Sequence, residues 1–154
     1  MPRTDAASLV VAAPRSAAYA ALVDEHALVA WLPPSGMRGH FERFDPRPGG
    51  SYRLTLTYDD AGAAGAGKTT ADSDVVEARF VELVPDERVV QEVDFVSDDP
   101  AFAGTMTMTW SLTDVDGGTL VEFVADDVPD GISAEDHAAG LASSLANLAA
   151  HLRG

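Results

Sequence analysis

Two polar side chains fall where the pattern of this chain calls for apolar ones. His137 shares a helical stripe with Leu141, Ser144, Leu145, Leu148 and Leu152, and Gln91 stands between Val89 and Val93 in an alternating segment. A buried polar group needs a hydrogen-bond partner, supplied by the protein or by a bound molecule. An imidazole can also exchange a proton near neutral pH. His137 is therefore read two ways: as a satisfied histidine beside a helix cap, or as a group that bonds a ligand or moves its proton. Gln91 is read in the same two ways, without the proton chemistry.

Other chemistries are poorly supported. Gly62-Ala63-Ala64-Gly65-Ala66-Gly67-Lys68-Thr69 spells the phosphate-binding pattern G-x-x-x-x-G-K-[ST]. That loop works through a helix starting at the lysine. Here Lys68 is followed by polar residues and then by strand-like Val75-Val76-Glu77-Ala78-Arg79-Phe80, so a hairpin loop is the expected reading. The four histidines, His26, His40, His137 and His151, are spread along the chain, and no two have i, i+3 or i, i+4 spacing. No metal and no cofactor is expected. There is no cysteine, which removes disulfides and thiol catalysis, and no Gly-x-Ser-x-Gly elbow for a serine nucleophile.

The elements that must position these groups are read from periodicity. Ser8 to Ala12 is β-prone and Pro14 ends it; an Ala-rich helix follows over 14–22. Asp24 can cap a second short helix that reaches Trp31 before Pro33-Pro34 stops it. Strands are expected over 38–45, 51–58, 74–84, 88–96, 103–113 and 119–126, with a flexible Gly/Ala loop at 59–71. Pro46, Pro48, Gly49 and Gly50 make a turn into Tyr52-Arg53-Leu54-Thr55-Leu56-Thr57-Tyr58, whose apolar members share one face. Phe102, Gly104, Met106, Met108, Trp110 and Leu112 share another, with a Thr-rich row behind it. Ser133-Ala134-Glu135-Asp136 resembles a capping box and opens the last helix.

The ordered set Ala13-Pro14, Trp31-Leu32-Pro33, Phe44-Asp45 with Arg47-Pro48-Gly49-Gly50-Ser51-Tyr52, Phe80 to Pro85, Met106 to Trp110, Gly117-Gly118-Thr119 and Asp136-His137 with Gly140-Leu141 and Ser144-Leu145 carries a resemblance. The chain resembles the START-like (SRPBCC, helix-grip) superfamily, and within it the domain related to the activator of the heat-shock-protein-90 ATPase, over about residues 8 to 152. The resemblance implies one α+β domain: a curved antiparallel sheet of six or seven strands wrapped on a long C-terminal helix, with two short helices after the first strand. It also implies a cavity between sheet and helix.

By periodicity the walls of such a cavity would include Tyr52, Leu54, Leu56 and Tyr58, then Val89, Gln91, Val93 and Phe95, then Met106, Met108 and Trp110. Trp31, Leu32 and Met37 would form a mouth, and Leu141 and Leu145 a roof near His137. The first functional expectation is binding of a small hydrophobic or amphipathic molecule, oriented by Gln91, His137 and a tyrosine hydroxyl. The alternative is an enzyme on the same scaffold, a polyketide cyclase, aromatase or hydrolase-like relative using His137 and Tyr52. A chaperone-associated interaction module ranks third, because the chain lacks the extra N-terminal domain and the basic Asn-Lys motif of the eukaryotic activator. A homodimer through the Thr-rich face is also open.

Composition limits the partners. With 10 Lys+Arg against 25 Asp+Glu among 154 residues, the net charge of −15 disfavours nucleic acid and anionic membranes. No membrane span or leader segment is visible, so a cytoplasmic location is expected. Length suits one domain, and an apolar share of 46% suits a real core.

Overall fold

Chain order places β1 (Asp5–Val11), α1 (Arg15–Leu22), α2 (Glu25–Trp31), β2 (Met37–Phe44), β3 (Ser51–Tyr58), β4 (Ser73–Val84), β5 (Arg88–Phe95), β6 (Met106–Val115), β7 (Gly118–Asp126) and α3 (Ala134–Leu152). These elements come from a computed structural model that describes residues 3–33, 37–58, 73–95, 100 and 104–153. The seven strands form one antiparallel sheet in the order β1-β7-β6-β5-β4-β3-β2. The helix pair α1–α2 therefore carries the chain from one edge of the sheet to the other. Register shifts interrupt the ladder between Phe41 and Arg43 and between Phe80 and Glu82. Such irregularities increase local twist and bend a strand, which curves a sheet around what lies against it.

The expected α+β helix-grip architecture is observed, with differences at element ends. β1 begins at Asp5 rather than near Ser8, because its register with β7 runs from Asp5↔Ala125 to Val11↔Thr119. β6 begins at Met106 rather than at residue 103. Phe102, the 59–71 loop and the G-x-x-x-x-G-K-[ST] segment lie outside the described residues.

Local chemistry explains the boundaries. The Asp24 carboxylate accepts from the backbone N–H of His26 and Ala27 at 2.8 and 3.2 Å, capping α2. Ser133 Oγ accepts from Asp136 N at 3.0 Å, capping α3 as the sequence expects. In the turn before β3 only Gly49 has a positive φ, +83°. Gly50 is required for a different reason: a Cβ there would lie 2.2 Å from the Asp45 carbonyl oxygen. The turn is then tied to β4 by Gly49 N–H to Phe80 O and Phe80 N–H to Gly50 O, both 2.9 Å.

α3 buries Leu141, Ser144, Leu145, Leu148 and Ala149. Under it the core has two aromatic centres. Phe41, Phe44, Tyr52 and Phe80 pack mostly edge to face at one end. At the other, Trp110 stacks on its cross-strand partner Phe123 with ring centroids 3.6 Å apart, and Trp31 meets Trp110 edge-on at 5.6 Å.

Candidate functional site

Between these centres a cavity of about 190 Å³ is left beneath α3. β3 contributes Tyr52, Leu54 and Leu56 to its wall, as period-two alternation requires. β5 contributes Gln91 and Val93, and β6 contributes Met106, Met108 and Trp110. α3 supplies His137, Gly140, Leu141 and Ser144, which follow helical spacing along one face.

Eleven residues expected at the site thus meet around one space: Leu32, Tyr52, Leu54, Leu56, Gln91, Val93, Met106, Met108, Trp110, His137 and Leu141. Trp31 does not line it. It is 2% exposed, its indole N–H donates to the Ala21 carbonyl at 3.0 Å, and it braces Trp110 from behind. The expected mouth role is corrected accordingly: an indole nitrogen satisfied by α1 holds the ring in the core. Leu32 does line the cavity. Val89 and Leu145 are buried core rather than lining. The side chains of Met37, Tyr58 and Phe95 lie outside the described residues.

The polar lining is unusual. Tyr52, Gln91 and Ser144 are 6, 7 and 8% exposed, yet none of their side chains forms a hydrogen bond among the described residues. No side-chain nitrogen or oxygen there is both sealed from solvent and unpaired. Their polar atoms therefore keep some accessible surface, on residues that all line the cavity. Burial pushes the Tyr52 phenol strongly up, so it is a neutral donor and acceptor.

His137 differs, because one of its nitrogens is taken. Nδ1 lies 2.7 Å from Asp5 Oδ2 at the start of β1. Asp5 is itself gripped by Arg3, with Nε to Oδ1 at 3.1 Å and Nη2 to Oδ2 at 3.0 Å, while Arg3 Nη2 also donates to the Ile132 carbonyl. Burial alone would raise the Asp5 carboxyl, but the hydrogen bonds from Arg3 and His137 outweigh it and hold the group below the usual carboxylate range. The other nitrogen, Nε2, has no protein partner among the described residues.

Glycine at 140 matters because of space. A Cβ there would meet no neighbouring heavy atom within 4 Å. A mid-helix glycine costs about 1 kcal/mol against alanine. Here it leaves part of the cavity empty.

Sequence reasoning missed Asp5, Gly140, Ser144, Val76, Phe123, Leu22 and Leu28. Ser144 and Gly140 were visible on the α3 stripe, and Phe123 follows from its register opposite Trp110. Asp5 carried no local signal, since its partner is 132 residues away. Among the described residues no cluster of three or more His, Asp or Glu could hold a metal ion. No described helix is long and apolar enough to cross a membrane.

Comparison with known proteins gives a family and a fold. The sequence profile described as Activator of Hsp90 ATPase homolog 1-like protein matches residues 12–153. A crystal structure of a Chromobacterium violaceum protein is 30% identical, with a TM-score of 0.86, and the match covers 98% of this chain and 97% of that one. An AHSA1-like protein from Aeromonas hydrophila, at 15% identity, superposes with a TM-score of 0.75 over 98% of this chain and 92% of its own. A protein in the dynemicin biosynthetic locus, 20% identical, gives a TM-score of 0.68 over 97% of this chain but 47% of its own length. No curated protein matches.

Proposed function

This chain belongs to the Activator of Hsp90 ATPase homolog 1-like family, and from that premise we propose that it binds a small apolar or amphipathic molecule between sheet and α3. The family by itself names no ligand, since one fold hosts many activities. The observation that carries the reading is the set of three nine-tenths-buried side chains, Tyr52, Gln91 and Ser144, that open onto an apolar cavity with no protein partner among the described residues. Polar groups so placed cost stability unless something in the cavity bonds them.

Magnitudes set the size and affinity of the guest. A cavity of about 150 Å³ is enough for benzene. The ~190 Å³ here suits a single ring with short substituents, or the end of a longer molecule. Burying about 150 Å² of such a ring contributes roughly 4 kcal/mol, equivalent to a millimolar dissociation constant before ordering costs. Two or three hydrogen bonds of about 1 kcal/mol each bring this to tens of micromolar. Calorimetry and ligand-detected NMR against substituted single-ring compounds, at concentrations up to millimolar, are the tests of this range. Native mass spectrometry of protein taken from its own host looks for a larger resident guest. Saturating panels with no heat, no NMR response and a bare native mass would refute the reading.

A second reading, an enzyme acting on a polyketide-like substrate, draws on two observations. One is the fold shared with a protein in the dynemicin biosynthetic locus. The other is the Asp5–His137 pair at the cavity wall. With a substrate in hand, His137→Ala should lower kcat while leaving the melting transition close to wild type. We place either activity in the cytoplasm.

A further inference from the structure

The Asp5–His137 pair bears on which guests the cavity could accept, an inference that rests on the ligand-binding reading above. Asp5 Oδ1 and Oδ2 both accept from the Arg3 guanidinium, which marks the carboxyl as ionised. An ionised carboxylate has only acceptors to offer. His137 Nδ1, 2.7 Å from Asp5 Oδ2, must therefore carry the hydrogen between them. In the neutral ring one nitrogen is donor and the other acceptor. The proton on Nδ1 leaves Nε2 with a bare lone pair, on a side chain that lines the cavity and is 13% exposed. We propose that Asp5, acting as a positioning residue, fixes His137 as a hydrogen-bond acceptor, so that the site selects guests presenting a hydroxyl donor at that point over guests of the same shape that present an acceptor.

The remaining polar groups cannot impose this choice. The Tyr52 and Ser144 hydroxyls rotate and serve as donor or acceptor, and the Gln91 amide offers both. Only an imidazole with a fixed tautomer discriminates. Nor do these groups assemble a nucleophile: Ser144 is seven residues beyond His137 on α3, about 10 Å along the axis at 1.5 Å per residue.

Two measurements test the inference. Nitrogen NMR of the labelled full-length chain reads the tautomer of the neutral His137 ring; a proton on Nδ1 is expected, and a proton on Nε2 overturns the proposal. Calorimetry, at a pH where that spectrum shows the ring neutral, then compares para-ethylphenol with its methyl ether. The phenol should bind roughly tenfold more tightly in the wild type, and in His137→Leu the ratio of the two affinities should fall to about one. Asp5→Asn, which no longer demands the Nδ1 proton, should shrink the preference. Equal binding of both probes by the wild type overturns the selectivity and leaves the cavity reading standing. A preference that survives His137→Leu assigns it to another group and overturns the role of the pair. If neither probe binds, this inference is overturned, while the cavity reading is decided by the wider panel and the native mass.

Discussion

Arg53 and Tyr52 are neighbours on β3 and face opposite sides of one sheet. Outside, Arg53 Nη1 donates to Glu77 Oε1 at 2.5 Å, directly across the ladder, and its Nε pairs with Glu42 at 3.0 Å. Glu77 also takes Arg43, while Arg79 reaches Asp94 and Glu92, and Arg88 reaches Glu82. Inside, the Tyr52 hydroxyl, the Gln91 amide and the Ser144 hydroxyl have no protein partner among the described residues. The face that water could satisfy is laced with ion pairs, and the face that water barely reaches is left open. Folding alone gives no reason for that inversion, because unpaired polar groups cost most where burial is deepest. On the reading proposed above, a guest that arrives after folding supplies the missing partners.

The contrast is broken most directly by filling the cavity. Gly140→Leu starts a side chain at the cavity wall from a Cβ that meets no heavy atom within 4 Å. It should weaken any single-ring guest by at least tenfold while raising stability by about 1 kcal/mol through helix propensity. Calorimetry and thermal unfolding read the two effects, and a variant that still binds normally would move the guest elsewhere. A stability cost of about 2 kcal/mol in chemical denaturation is expected for Asp5→Ala, which strips the carboxylate from two cationic or donor partners in a partly buried site.

Acid should sharpen the same comparison. The Asp5 and Glu77 carboxyls are both pushed up by burial but held below their ordinary range by arginine and, for Asp5, histidine hydrogen bonds. A carboxylate lowered in the folded state stabilises fully above its unfolded value of about 4 and loses that contribution as pH falls through the folded one. Stability should therefore drop below about pH 4, and Asp5→Asn should flatten part of the slope. The mildest effect belongs to the outer face: Glu77→Gln should cost less than about 1 kcal/mol and shrink further in salt.

Much of the fold was legible because its signals are local. The alternation of Tyr52, Leu54 and Leu56, the Asp24 and Ser133 caps and the turn at Gly49 each depend on a few adjacent residues. The α3 stripe gave His137 and Leu141, and period two gave Gln91, Met106, Met108 and Trp110. What stayed hidden depends on distance. Nothing near Asp5 announces that His137 lies beside it, and Gly140 reads as a helix weakness until the empty space around it is seen. Trp31 misled for a related reason, since an aromatic residue before prolines suits a mouth as well as it suits a core. Its hydrogen bond to Ala21 decides the matter.

The separation of Asp5 and His137 by 132 residues has a kinetic meaning as well. β1 pairs with β7 and α3 lies against β1, so the pair requires the two ends of the chain to be brought together. Closing so long a loop is entropically slow to be repaid, and contacts of this separation belong to the late stages of folding. An unfolded chain carries every residue of the cavity wall and still lacks the fixed imidazole. On the proposed reading, a guest that bonds His137 meets that acceptor only in the finished molecule.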